Sequence, residues 1–193
     1  IVSATKYYSG HSDVMGGSLA VNKKVFKKVM FFYKLSGYRM SADEAYLIIR
    51  RLRPLDVRLK QHYENTLKVI SFLKKQKKIK EILYPHNPSS RNYKLWKKYY
   101  SGANGLFSIV VKCKKKSSVL KFVNSLELFG IGYSWGGFES LVLLQDLRDD
   151  TKYTKTRKFF RFANDEHIVR LHIGLEDPND LIADLKRSLK YLK

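Results

Sequence analysis

Between Val25 and Leu35 the apolar residues Val25, Val29, Phe32 and Tyr33 recur at helical spacing, with Lys23, Lys24, Lys27, Lys28 and Lys34 mostly on the other side. That pattern predicts an amphipathic helix, and Asn22 just ahead of it can accept hydrogen bonds from the first free backbone amides. The lysines read as its solvated face. Gly37 interrupts the pattern, and Ser41-Ala42-Asp43-Glu44 forms a capping box that opens another helix. Pro54 has no amide hydrogen to continue it, so a new run is expected from about Leu55, with Leu59, Tyr63, Leu67 and Ile70 on its apolar face as far as about Lys75. A long helix pair is a natural bridge between domains. A boundary is therefore expected near Gln76, dividing residues 1–75 from 76–193.

Beyond Gln76 the rhythm changes to short alternating elements. Ile79–Tyr84 reads as a strand ended by Pro85, Arg91–Tyr100 as a helix, and Phe107–Val111 as the clearest strand. Ser117 is expected to cap a helix carrying Val119, Phe122, Val123 and Leu126. Further strands are predicted over Tyr133–Gly137, Leu141–Leu144 and Ile168–Ile173. Asp177-Pro178 is an N-cap followed by a first-turn proline, and Leu181, Ile182, Leu185 and Leu189 form the buried stripe of the closing helix. This alternation predicts an α/β domain with helices packed over a mainly antiparallel sheet. The stretch 151–161, rich in Lys and Thr, reads as a mobile loop.

The first seventeen residues carry the candidate chemistry. Ile1 and Val2 read as the end of a buried strand, and Ser18–Val21 as another short one. Between them a hydroxyl-rich turn presents Lys6, while Gly10, Gly16 and Gly17 let the backbone fold back closely. A lysine among Ser and Thr hydroxyls suits an imine-forming amine beside a bound phosphate, because the hydroxyls donate to phosphate oxygens. By itself the pattern is equally that of a solvated surface lysine, as most of the 27 lysines here should be.

Ser3-Ala4-Thr5-Lys6-Tyr7, with Gly10-His11-Ser12-Asp13 and Gly16-Gly17 behind it, resembles the cofactor-lysine segment of the pyridoxal-phosphate (PLP) enzymes of cysteine and methionine metabolism. Three later stretches agree in order and spacing: Arg51-Leu52-Arg53-Pro54-Leu55 with Val57-Arg58-Leu59, Tyr133 to Leu141, and Val169 to Asp177. The likeness covers essentially the whole chain. It implies the C-terminal part of a fold-type I PLP-dependent enzyme: the end of the large cofactor-binding domain, long linking helices, and a small α/β domain. Lys6 is then implied to hold the cofactor and to take the Cα proton, and Ser3 and Thr5 to contact its phosphate. Arg170, Ser134 and Trp135 are implied to bind the substrate carboxylate and wall the site. Trp135 stands where the family's γ-synthases and γ-lyases usually have leucine. The implied reaction is therefore carbon–sulfur β-elimination from L-cystathionine to homocysteine, pyruvate and ammonia, a step of methionine biosynthesis.

Family members are roughly twice this long. The aspartate facing the pyridine nitrogen, the tyrosine stacked on the ring and the glycine-rich phosphate loop are therefore expected upstream of Ile1. The implied partners are that missing half and further copies of the complete enzyme, as a tetramer. The chain alone is expected to be inactive, with Phe32, Tyr33 and their neighbours exposed. Other readings are a γ-synthase or γ-lyase relative, and a non-catalytic remnant.

Residue by residue, Arg170 lies in the apolar run Ile168–Ile173, where a guanidinium needs a partner: a carboxylate ligand, or Glu139 or Glu176 in a salt bridge. His172 reads as a hydrogen-bonded structural histidine, and His11 and Asp13 as braces of the lysine loop. Composition adds less. A net charge of +21 points toward nucleic acid, but lysine outnumbers arginine 27 to 11 and Tyr, Phe, Ile and Asn are all plentiful, as A- and T-rich codons would give. Nucleic-acid binding therefore ranks last. No run approaches a membrane span or a signal peptide, and Cys113 is the lone cysteine, which fits a reducing, cytoplasmic setting. No cysteine, histidine and carboxylate spacing suggests a metal.

Overall fold

The computed structural model describes residues 1–145 and 163–193; the stretch expected as a mobile loop, 151–161, lies outside them. Two strands of two residues, β1 (Val2–Ser3) and β2 (Gly17–Ser18), pair antiparallel across the base of the lysine loop. The expected burial of Ile1 and Val2 is not found: Ile1 is fully exposed and Val2 is 42% exposed. The strand expected over Ser18–Val21 shrinks to Gly17–Ser18, because so short a ladder has neither a third strand nor a core to lie on.

Helix α1 (Lys23–Ser36) begins where Asn22 accepts from the amides of Lys24 and Val25, and ends at Gly37 in the left-handed region. None of its residues is buried, and Phe32 and Tyr33 stand 63% and 42% exposed, as expected. Helix α2 (Ala42–Leu52) has the full capping box, with Ser41 accepting from the Glu44 amide and Glu44 accepting from the Ser41 amide. Pro54 separates it from α3 (Leu55–Leu73).

The buried face of α3 is not the expected one. Of the residues expected there, Ile70 is buried, Leu59 and Tyr63 are half-buried and Leu67 is exposed; the stripe turned fully inward is Arg58, His62, Asn65, Thr66 and Val69, continuing to Ile70 and Leu73. Polar groups can occupy it because each finds a partner. His62 Nδ1 bonds Ile173 O at 2.8 Å, and Asn65 Nδ2 donates to Gly174 O and Glu176 O at 3.2 and 3.0 Å. Thr66 Oγ1 donates back to His62 O at 2.6 Å. A periodicity argument credits only apolar residues, so it chose the neighbouring stripe.

The remaining elements among the described residues are β3 (Ile79–Leu83), α4 (Tyr93–Tyr99), β4 (Leu106–Lys112), α5 (Lys116–Asn124), β5 (Gly130–Ile131), β6 (Leu141–Gln145), β7 (Glu166–His172) and α6 (Pro178–Ser188), which ends in a 3-10 turn over Leu189–Tyr191. The five strands run β3-β4-β7-β6-β5 across one sheet, antiparallel except for the β5–β6 pair. The mainly antiparallel α/β architecture is therefore as expected. Two local expectations fail. Ser117 does not cap α5, which begins at Lys116 behind Lys115 with no side-chain cap. Tyr133–Gly137 is a loop between β5 and β6 rather than a strand, since Gly136 at φ 85° breaks the extended path. No helix among the described residues is long and apolar enough to cross a membrane.

One core unites the sheet with its helices: Val69, Ile70 and Leu73 of α3, Ile109 and Val111 of β4, Phe122 of α5, Leu171 of β7, and Leu181 and Leu185 of α6. Asp177 caps α6 by accepting from the Asn179 amide at 2.7 Å. The seam between α3 and the end of β7 gives a direct test. Asn65→Leu should lower unfolding stability by about 1–3 kcal/mol, because two buried carbonyls lose their donor, whereas Leu67→Asn should cost under about 0.5 kcal/mol. Urea unfolding of both variants measures this, and a larger loss at Leu67 would restore the apolar-face assignment.

Candidate active site

The lysine loop is a closed structure. Thr5 bonds Gly16 three ways: its amide and hydroxyl donate to Gly16 O, each at 3.2 Å, and its Oγ1 accepts from Gly16 N at 2.9 Å. A helical turn follows, with Ser9 N on Ala4 O and Gly10 N on Lys6 O, both at 2.8 Å. Two arginines brace it from outside. Arg51 grips Asp13 with two parallel bonds of 2.5 and 2.6 Å, which holds the Asp13 carboxyl below the usual range. Arg58 donates to Tyr7 O at 2.9 Å and to Arg51 O at 2.8 Å. His11 Nδ1 bonds Ser9 O at 2.8 Å.

Against this loop packs the turn between β5 and β6. A Cβ on Gly136 would stand 2.7 Å from Tyr7 N and 3.0 Å from Lys6 C, so only glycine permits the approach, and the positive φ asks for glycine as well. The approach puts Lys6 Nζ 3.0 Å from Ser134 Oγ and 4.5 Å from the centre of the Trp135 ring. Arg170 reaches the same turn from β7. Its Nη2 donates to Gly132 O and Ser134 O at 3.2 and 3.4 Å, and its Cζ lies 5.6 Å from the Trp135 ring centre. Partial burial lowers the guanidinium's pKa from its ordinary value.

Four of the residues chosen from the sequence thus meet at one place: Lys6, Ser134, Trp135 and Arg170. Ser3 and Thr5 stand apart from them, Ser3 exposed in β1 opposite Gly17 and Thr5 with its hydroxyl turned to Gly16. The salt bridge considered for Arg170 is not formed. Among the described residues Glu139 accepts from Ser12, and Glu176 accepts from the Ser140 amide and hydroxyl at 2.6 and 2.9 Å.

Behind the cluster lies a buried aromatic layer that sequence reasoning missed in part. Tyr7, beside Lys6, accepts from Gly105 N at 3.1 Å, and burial raises its phenol well above the ordinary value. Its ring meets His62 and His172 edge-on at 5.4 and 6.0 Å, and the two imidazoles lie 5.3 Å apart. His62 falls four residues after Arg58, on the same helical face, and that spacing was the available signal. His172 is hydrogen-bonded to the turn as expected: its Nε2, 3.0 Å from Gly136 N and 3.2 Å from Gly137 O, accepts from the first in one tautomer and donates to the second in the other. Burial pushes it down to about 4, with nearby His62 and Arg170 adding to the effect, and His62 is lowered for the same reason.

The sequence matches the family of Cys/Met metabolism PLP-dependent enzymes over residues 1–190, and the chain belongs to that family. It is 39% identical over 186 residues to cystathionine β-lyase MetC of Escherichia coli K12, covering 96% of this chain and 46% of that protein. It is 37% identical over 196 residues to an L-alanine/L-glutamate racemase of Wolbachia pipientis wMel, covering 100% of this chain and 47% of the relative. The fold superposes on the crystal structure of cystathionine γ-synthase from Xanthomonas oryzae pv. oryzae with a TM-score of 0.85 at 27% identity, over 98% of this chain and 49% of that one. The chain therefore spans about half the length of the relatives it matches.

The residues present fit PLP. Lys6 is a half-buried amine that meets a hydroxyl and an indole face, with no carboxylate partner among the described residues. An amine so placed is open to a carbonyl group. The Arg170 guanidinium, engaged through Nη2 alone among the described residues, keeps donors for a carboxylate.

Buried neutral imidazoles make stability depend on pH. The folded state holds His172 unprotonated down to about 4, while the unfolded chain takes up the proton near 6.5. Stability is therefore full above about 6.5 and falls as pH drops toward 4, by at most about 3.5 kcal/mol from this residue at ~1.4 kcal/mol per pKa unit. Urea midpoints at pH 7.5, 6 and 4.5 should decline, and His172→Gln should flatten the decline. A flat profile in the unaltered chain would show that the imidazoles are not desolvated.

Proposed function

We propose that this chain is the C-terminal portion of a PLP-dependent carbon–sulfur β-lyase that cleaves L-cystathionine to homocysteine, pyruvate and ammonia, a step of methionine biosynthesis. The observation carrying this is the convergence of Lys6 Nζ, Ser134 Oγ, the Trp135 ring and Arg170 from three separate parts of the chain. When bound, PLP supplies the electron sink that lets the Cα–H bond break. The chain's own groups do the rest. Lys6 holds the cofactor, is released as substrate binds, takes the Cα proton on Nζ and hands a proton to the departing sulfur. Ser134, 3.0 Å away, fixes where that amine points. Arg170 binds the α-carboxylate through two parallel hydrogen bonds and so sets the Cα–H direction. Trp135 closes one wall against water; the exposed Ser3 faces the cofactor phosphate in the assembled enzyme, while Thr5, its hydroxyl bonded to Gly16, holds the loop that presents Lys6.

Trp135 favours the β-lyase over the γ-lyase and γ-synthase branches. A second reading comes from the Wolbachia racemase, which is about as similar as the β-lyase: Cα deprotonation with the proton returned to the opposite face. The remaining groups of the site belong to the polypeptide that corresponds to the N-terminal half of the relatives, packed on the exposed Phe26, Phe31 and Phe32 of α1, and the complete enzyme is a cytoplasmic homotetramer. Residues 1–75 complete its cofactor domain and 76–193 form its substrate domain.

The test joins the chain to the N-terminal portion of the E. coli β-lyase, fused ahead of Ile1. The fusion should release pyruvate from cystathionine, the unfused chain should not, and Lys6→Ala should abolish release. Formation of 2-oxobutyrate would move the assignment to a γ-lyase, and D-alanine from L-alanine to a racemase. In the active fusion, Arg170→Lys should lower kcat/KM on the order of 100-fold with the cofactor spectrum unchanged. Unchanged kinetics would remove Arg170 from the carboxylate site.

A further inference from the structure

Residues 170 and 172 of β7 lie on one face of the strand, since alternate residues point the same way. Both side chains reach the same turn. Arg170 donates to the carbonyls of Gly132 and Ser134, and His172 Nε2 meets the amide of Gly136 and the carbonyl of Gly137. The two contacts bracket Ser134 and Trp135. β7 lies between β4 and β6 and is paired with both, so the face is rigid. The loop it holds has only the two-residue β5 on one side. Gly136 in turn lies directly against the Lys6–Tyr7 peptide.

We propose that His172 is a positioning residue: its Nε2 accepts the Gly136 N–H, fixes the turn against the lysine loop, and thereby sets Ser134 and Trp135 on Lys6. This rests on the site reading given above, but none of its consequences requires turnover. The acceptor role needs a neutral ring with its proton on Nδ1; burial keeps the ring neutral, and in that tautomer the Gly137 carbonyl abuts Nε2 without a hydrogen bond. His172 Nδ1 has no hydrogen-bond partner among the described residues, so the ring acts on the turn through Nε2 alone. A filler of the same size would pack on Tyr7 and His62 equally well. It would leave the Gly136 amide, buried beside Lys6, without an acceptor.

The experiment uses the full 193-residue chain and nuclear magnetic resonance. In the unaltered chain, a through-hydrogen-bond coupling between Gly136 15N and His172 Nε2 is expected at pH 7.5; its absence would overturn the proposal without any substitution. His172→Leu should exchange the Gly136 amide at least about tenfold faster and weaken the contact between the Trp135 indole and the Lys6 side chain, with far-ultraviolet dichroism unchanged. His172→Gln, whose amide oxygen reaches the place of Nε2, should restore both. Added PLP trapped on Lys6 by borohydride, read by mass spectrometry, should follow the same order: unaltered and Gln alike, Leu several-fold lower. If Leu matches the unaltered chain, or if Gln behaves as Leu does, the ring is a packing element only. A fusion without lyase activity that keeps the coupling would sink the lyase reading and leave this one standing.

Discussion

Everything at the site depends on β7 being hydrogen-bonded along its length to β4 and over five residues to β6. A strand held on both sides has no freedom to slide, because a shift of one residue would turn Val169 and Leu171 out of the core and Arg170 and His172 into it. The side chains leaving its other face therefore start from fixed points. Arg170 and His172 use that fixity to hold a loop that has little regular structure of its own. The loop then carries Ser134 and Trp135 to a lysine 128 residues away in sequence.

Burying polar groups under the site would be costly if they lacked partners, at about 1–3 kcal/mol each. The α3 seam avoids most of that cost by bonding to backbone ends rather than to other side chains. His62 and Asn65 satisfy carbonyls of Ile173, Gly174 and Glu176, which follow β7 and belong to no ladder. Arg58 does the same for Tyr7 O in the lysine loop. One helix thus ties the loop bearing Lys6 to the end of the strand bearing Arg170. The seam serves the geometry of the site more than it adds to the core.

Relatives of different activity resemble this chain to a similar degree, the Escherichia coli β-lyase at 39% identity and the Wolbachia racemase at 37%. An amino acid held on an electron-sink cofactor can lose its Cα proton to a nearby amine. β-Elimination, γ-elimination and racemisation all begin with that step. What happens next is governed by what else faces the carbanion, and relatives are about twice the length of this chain.

The sequence by itself determined the elements whose ends carry local chemistry: the Asn22 and Ser41 caps, the Pro54 break, the Asp177-Pro178 start of α6, and the apolar runs of β4 and β7. It also singled out Lys6, Ser134, Trp135 and Arg170 by their motifs, and the fold brings those four together. Only the tertiary structure decided which face of α3 is buried, because hydrogen bonds to Ile173, Gly174 and Glu176 outweigh the apolar count of Leu59, Tyr63 and Leu67. It alone decided that Tyr133–Gly137 is a turn, since a positive φ at Gly136 and contact with Tyr7 are both non-local requirements. And it alone showed that Arg170 binds carbonyls of the turn rather than Glu139 or Glu176, because those carboxylates are taken by Ser12 and Ser140. Periodicity records what a residue prefers, and a buried polar group is governed by what stands opposite it.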